Sequence, residues 1–146
     1  MPSLKEAMLT NLREMIKLQR AAHDSMFKFS IKKMWPISLI APQVDWIRIT
    51  RMMEKLQATC KEQKRFLAKE KSKALEADLP FLNILPDYLN SLSKVAERLG
   101  KAASFRQEVL EKKKKMSIGE WNLILKDYNE ACDEMARVGI VLYRAY

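Results

Sequence analysis

Two stretches of the chain repeat apolar residues at alternating spacings of three and four, and this pattern constrains the fold most. It is the spacing of helices that pack side by side at shallow angles. The first stretch, a predicted helix from a cap at Asp45 to about Ala77, carries Trp46, Ile49, Met53, Leu56, Cys60, Gln63 and Leu67. The second stretch, after Ser117, carries Trp121, Ile124, Tyr128, Ala131, Met135, Val138, Leu142 and Ala145. Each stretch predicts a long helix that buries one side.

Two more helices are predicted from weaker versions of the same pattern. Residues 3–35 place apolar side chains such as Leu12 and Ile16 at helical spacing, with basic residues on another side. A further helix is predicted to start at Pro86, because proline suits a first helical turn, and its apolar side extends to Leu110. The sequence "SIGE" at residues 117–120 predicts a capping box at the start of the last helix.

These helices predict an all-α fold in one domain, residues 1–146, arranged as an up-down-up-down four-helix bundle with long helices. The connections are expected to be short and apolar. Two of them are bracketed by prolines, "PISLIAP" at residues 36–42 and "PFLNILP" at residues 80–86. Leu and Ile side chains in these runs could cover the open ends of the core or contact a partner, and the sequence alone leaves both interpretations open.

The sequence offers poor material for catalysis. His23 is the single histidine and lies on the apolar side of the first predicted helix, which indicates a structural role. Glu130, Asp133 and Glu134 lack the glycine turn of a calcium loop, and the chain has no glycine-rich phosphate loop. We therefore expect no enzymatic activity, no cofactor and no metal site.

Cysteine use and hydropathy indicate a compartment. Cys60 and Cys132 are far apart at or beside apolar helical positions, so we expect two reduced thiols. No apolar run approaches the roughly 18 residues that a membrane span needs. The sequence therefore predicts an intracellular, reducing location, cytoplasmic or, as an alternative, mitochondrial.

The net charge of +9 favours anionic partners. In an up-and-down bundle, the first and third connections share one end, which would then be both apolar and lysine-rich. The residues predicted to bind a partner there are Lys32, Lys33, Trp35, Ile37, Leu39, Ile40, Lys112, Lys113, Lys114 and Lys115. Such a composition is typical of a docking surface or of an interfacial membrane anchor.

The leading hypothesis is a non-catalytic helical subunit or adaptor that docks into a larger assembly, such as a mitochondrial or ribonucleoprotein complex, and self-association is compatible with it. One alternative is a protein that binds or packages nucleic acid by contacting phosphates. The basic residues predicted for that role are Arg13, Lys17, Arg20, Arg48, Arg51, Lys55, Arg65, Lys69 and Lys73. The other alternative is a peripheral membrane protein attached to anionic lipid by the basic, apolar end.

Overall fold

A computed structural model describes residues 3–27, 45–112 and 115–146, and all regular structure in these residues is helical. Four helices pack against one another: α1 (Leu4–Phe27), α2 (Trp46–Glu70), α3 (Leu79–Glu111) and α4 (Ile118–Ala145). Two short 3-10 helices, Lys71–Lys73 and Glu76–Asp78, connect α2 to α3. The predicted all-α class is confirmed.

Two of the helix starts are where the sequence predicts them. The Asp45 side chain accepts a hydrogen bond of 3.0 Å from the backbone N–H of Arg48 at the start of α2. The Ser117 hydroxyl accepts one of 3.3 Å from the backbone N–H of Glu120 at the start of α4. Each cap supplies an acceptor to a first-turn N–H group that has no partner within the helix.

The predicted boundary between the second and third helices is wrong. α2 ends at Glu70 rather than near Ala77, and α3 begins at Leu79 rather than at Pro86. The chain leaves the helical conformation at Ala74, where ψ is 151°. Because both boundaries lie seven residues earlier than predicted, the connection keeps its predicted length but consists of residues 71–78, which are more polar than residues 78–85.

The run "PFLNILP" belongs to α3 and is not a loop that covers the end of the core. Pro80 lies in the first turn of α3, where its missing N–H costs nothing. Phe81, Leu82 and Leu85 are 2%, 0% and 0% exposed, and they line the core along the helix. Pro86 lies inside the helix, where a proline removes one backbone hydrogen bond. Burial of three large apolar side chains offsets that loss.

The core lies along α3, which packs against the other three helices. α2 and α3 approach each other closely at Gly100, where an added Cβ would lie 3.3 Å from the Cβ of Met53. Leu92, Val95 and Leu99 of α3 are fully buried. Because Gly100 has no side chain, the two helices can approach each other beside these buried residues.

Part of the predicted architecture falls outside the described residues. The first predicted helix reaches residue 35, whereas the structure describes α1 as far as Phe27. The run "PISLIAP" at residues 36–42 also lies outside the described residues. Among the helices that are described, none combines the length and apolar character that a membrane crossing requires.

Candidate functional site

Arg106 joins three helices at one end of the fold. Its guanidinium carbon lies 5.1 Å from the ring centroid of Trp46, at the start of α2, and 5.2 Å from that of Trp121, in the first turn of α4. An arginine over an indole face gains about 0.5–2 kcal/mol, with the larger value for desolvated pairs. Burial lowers the pKa of Arg106, as expected for a cation held among rings.

The surroundings of Arg106 are also aromatic and sulfur-rich. Phe105 stacks on Trp121 with ring centroids 6.1 Å apart. Arg106 also donates a hydrogen bond of 3.3 Å to the Met116 sulfur. The start of α2, the end of α3 and the start of α4 are thereby held together.

Two large apolar side chains are exposed at this end. Leu110 continues the apolar side of α3, seven residues after Ala103 and fourteen after Ala96, which are both fully buried. Leu110 itself is 52% exposed, and Ile118 in the first turn of α4 is 70% exposed. The apolar side of α3 therefore extends beyond the packed core.

Two lysines of the predicted basic end can be placed, and both are exposed. Lys112 donates a hydrogen bond of 2.7 Å to Glu108, and this contact raises the Lys112 pKa. Lys115 makes no ion pair among the described residues. We call Leu110, Lys112, Lys115 and Ile118 the basic end.

The remaining residues predicted for partner binding cannot be placed. Residues outside the described part of the chain are Lys32, Lys33, Trp35, Ile37, Leu39, Ile40, Lys113 and Lys114. The chain enters α2 at Trp46, which touches Arg106, so residue 45 lies at the same end as Lys112 and Lys115. Asp45, which follows the first predicted connection, thus lies at the same end as the two described lysines of the third connection.

A polar network joins α1 to α4 inside the protein. The Tyr128 hydroxyl, on a residue that is 1% exposed, accepts a hydrogen bond of 2.9 Å from Gln19. It also lies 2.7 Å from Nδ1 of His23, and it can donate to that nitrogen when the ring carries its proton on Nε2. Burial raises the Tyr128 pKa. His23 is thus engaged within the fold, as its place in the sequence suggested.

A groove opens between α1 and α4 beyond this network. Its walls are Leu9 and Ile16 of α1 and Tyr143 of α4, and its floor includes Phe81 and Tyr88 of α3. The cavity measures about 240 Å³. This volume is below the range of about 300–1,000 Å³ that is usual for drug-sized ligands, and it suits a few side chains of another molecule better.

Both ends of the groove are closed by contacts between α1 and α4. At one end the Lys5 ammonium donates a hydrogen bond of 2.9 Å to the carbonyl oxygen of Tyr146 and lies 4.0 Å from the centroid of its ring. At the other end are the bonds that Gln19 and His23 make to Tyr128. Residues 5 and 23 are 18 positions apart, a distance of about 27 Å along an α-helix.

Glycine shapes the groove where α4 meets α3. A Cβ at Gly139 would lie 3.2 Å from Cε2 of the Tyr88 ring, closer than side chains normally approach. The absence of that Cβ lets the Tyr88 ring pack against α4 and form part of the floor. The sequence did not single out Gly139 or Tyr88, because nothing local to either residue indicates their contact.

The nine basic residues predicted for nucleic acid are all exposed, but they do not form one surface. Asn11 of α1 donates to Gln63 of α2, which fixes the side of α1 that faces α2. Arg13 lies about 200° from Asn11 around the axis of α1. It lines the groove on the α4 side. Arg20, one turn after Ile16, acts electrostatically on Tyr88 in the floor of the same groove.

The rest of the predicted basic set lies elsewhere. Lys17 of α1 pairs with Glu14 over 3.3 Å. The residues of this set that follow Asp45 point away from the core on α2 and the segment after it, and they are Arg48, Arg51, Lys55, Arg65, Lys69 and Lys73. Lys73 pairs with Glu70 over 3.1 Å. The structure therefore divides the set between the groove side of α1 and the outer side of α2.

The acidic and sulfur-bearing residues show no ligand geometry. Within the described residues there is no group of three or more His, Cys, Asp or Glu side chains that could hold a metal ion. Cys60 and Cys132 are both free thiols, and burial raises the pKa of Cys60 to about 11. A thiol with a raised pKa is a poor nucleophile near neutral pH.

Comparisons with protein-family models, with curated proteins and with solved structures found no match for this chain.

Proposed function

We propose that this protein is a non-catalytic helical subunit or adaptor that docks into a larger intracellular assembly through its apolar, lysine-rimmed basic end. The observation that carries the proposal is the exposure of Leu110. This leucine continues the apolar side of α3, yet it is 52% exposed, and Ile118 at the same end is 70% exposed. Apolar residues that extend a buried stripe into solvent are typical of surfaces that a partner covers.

The charges at the basic end support an acidic protein partner. Lys112 and Lys115 are exposed at the same end as the two apolar side chains. An apolar centre with a charged rim is the usual anatomy of a protein interface, where the centre supplies affinity and the rim supplies orientation and encounter rate. Arg106 supports the surface from beneath, because it holds Trp46 and Trp121 in place.

The proposal includes an up-down-up-down course of the four helices, which contacts between residues support. Lys64 of α2 bonds to Asn90 of α3, while Trp46, earlier in α2, lies beside Arg106, later in α3. Residues that come later in α2 thus contact residues that come earlier in α3, as expected for two antiparallel helices. The Lys5–Tyr146 contact and the bond between His23 and Tyr128 relate α1 and α4 in the same way.

A second candidate function, binding of nucleic acid, is supported by the outer side of α2. Arg48, Arg51, Lys55 and Arg65 are exposed there, and none of them forms an ion pair among the described residues. An unpaired basic stripe can track phosphates with an affinity that falls steeply as salt rises. The stripe contains one exposed aromatic ring for base stacking, Phe66, which is 43% exposed.

Affinity isolation from the native source, with and without nuclease and with and without detergent, separates these functions. The docking proposal expects a protein partner at a constant ratio to the chain in all four conditions. Loss of every partner after nuclease treatment would favour the nucleic-acid function, and loss only in detergent would favour attachment to a membrane. A purified chain that stays monomeric and recovers no protein in any condition contradicts the docking proposal.

A further inference from the structure

We infer that the groove between α1 and α4 binds an acidic amphipathic helix of a partner protein, at a site separate from the basic end. The groove and the basic end use different residues. The groove is lined by the first half of α1 and the last residues of α4, whereas the basic end consists of the last turn of α3 and the first of α4. The two sites can therefore be tested independently.

The shape of the groove suits one face of a helix. Leu9 and Ile16 are two turns apart on α1, which corresponds to about 10 Å along the axis. An incoming helix that lies along the groove presents side chains every three or four residues, so two neighbouring apolar side chains fit within this length. The volume of about 240 Å³ has room for such a pair and is small for a separate organic ligand.

Exposed apolar residues extend the groove outward on its α4 side. Tyr143 is 80% exposed and Ile140, one turn earlier, is 55% exposed. Tyr146 at the closed end is 62% exposed. A helix that inserts apolar side chains between α1 and α4 would cover these residues, and rings such as Tyr143 supply a large contact area at low conformational cost.

The charge at the groove sets the chemistry of its occupant. Arg13 is the one charged residue among the described residues that line it, and Arg20 lies near its floor. Neither arginine forms an ion pair with any described residue. Two arginines without carboxylate partners beside an apolar groove complement a helix that carries Glu or Asp next to its apolar face.

The test uses the full chain and two labelled synthetic peptides. Each peptide has about 14 residues, enough for about four helical turns. Both peptides carry the same leucines at helical spacing, and they are flanked by glutamates in one peptide and by lysines in the other. Fluorescence anisotropy measures their binding. We expect the glutamate peptide to bind roughly tenfold or more tightly than the lysine peptide at low salt.

A matched pair of variants assigns the binding to the groove. Arg13→Glu with Arg20→Glu should lower the affinity for the glutamate peptide by roughly tenfold. The variant should then bind the lysine peptide more tightly than the glutamate peptide. Lys101→Glu with Lys126→Glu changes the net charge equally at two exposed residues that do not line the groove, and should leave the affinity within about twofold. Tyr143→Ser should lower the affinity for both peptides, since it removes apolar contact area from an exposed residue.

Several outcomes overturn the inference. Equal binding of both peptides, no binding of either, or an equal effect of the two charge-reversal pairs would each contradict it. If sedimentation shows that the chain alone dimerises, and Tyr143→Ser abolishes the dimer, the occupant is a second copy. If neutral phosphatidylcholine vesicles bind in a Tyr143-dependent way while the peptides do not, the occupant is lipid.

Discussion

Gln19 of α1 donates a hydrogen bond of 2.9 Å to the hydroxyl of Tyr128 on α4, inside the fold. Gln19 is 5% exposed and Tyr128 is 1% exposed, so neither polar group has water as an alternative partner. Among the described residues, this bond is one of three hydrogen-bonding contacts between α1 and the α4 segment, and it closes one end of the groove between them. Its removal should therefore be costly.

Tyr128→Phe is expected to lower the free energy of unfolding by about 1–3 kcal/mol, because it leaves the Gln19 amide and His23 Nδ1 without their partner. Tyr143→Phe removes the same hydroxyl from a ring that is 80% exposed and should leave stability unchanged. Urea unfolding followed by circular dichroism measures both variants. Equal stability of the two variants would show that the network contributes nothing.

Pro86→Ala tests the position of α3. An alanine at 86 restores a backbone N–H inside the helix, which can donate to the carbonyl of residue 82, so the variant should gain about 1 kcal/mol or more. Pro80→Ala is the matched control, because a proline in the first turn costs no hydrogen bond and both changes loosen the unfolded chain alike. If Pro86→Ala is no more stable than Pro80→Ala, residue 86 does not lie within a helix.

Gly100→Val tests the close approach of α2 and α3. The valine Cβ would lie 3.3 Å from the Met53 Cβ, and the two further methyl groups force the helices apart. We expect a loss of about 1–3 kcal/mol, the usual cost of overpacking a core. Gly119→Ala meets nothing closer than 4.0 Å and should be neutral or stabilising. Thermal unfolding of both variants measures the effect. If Gly100→Val melts at the wild-type temperature, α2 and α3 do not approach each other closely at this residue.

Stability is expected to fall in alkaline solution because of Cys60. Burial raises the pKa of this thiol from its ordinary value of 9.0 to about 11. Between these two values the unfolded chain loses the proton while the folded chain keeps it, so the free energy of unfolding decreases as pH rises. Cys60→Ala should flatten this decrease when urea unfolding is measured from pH 9.0 to about 11. An unchanged slope would show that Cys60 is not responsible.

The all-helical fold follows from patterns that the sequence displays locally. The spacing of residues such as Met53, Leu56 and Cys60 identifies α2, and short polar motifs mark the caps at Asp45 and Ser117. These features depend on residues within a turn or two of each other. Local physics therefore accounts for the presence of the helices and for two of their starts.

The start of α3 shows where local rules fail. Two prolines six residues apart suggested a loop, because proline usually interrupts a helix. The helix forms through Pro86 because Phe81, Leu82 and Leu85 lie on one side of it and are buried against its neighbours. Tertiary burial outweighs a local preference here, and sequence spacing alone does not show which of the two is larger.

The candidate sites depend on contacts that no short motif encodes. Arg106 meets Trp46 across 60 positions of sequence, and the groove depends on how far α1 stands from α4. The basic, apolar end that the sequence indicated stays a prediction. Nothing in the sequence indicated that Leu110 would be exposed, that Arg106 would support the surface, or that Gly139 would shape a groove.

The most direct test of the docking proposal compares partner recovery by two charge-introducing variants. Leu110→Asp with Ile118→Asp replaces the exposed apolar residues of the basic end. Val141→Asp introduces a charge at a residue that is 51% exposed near the far end of α4, about 34 Å along the helix from Ile118. Circular dichroism first confirms that both proteins are folded.

Quantitative affinity isolation from the native source then gives the decisive measurement, the amount of protein partner recovered per molecule of chain. The docking proposal predicts full recovery with the wild type and with Val141→Asp, and a loss of roughly tenfold or more with the double variant, as expected when interface anchors are removed. Equal recovery by the double variant and the wild type would contradict the proposal.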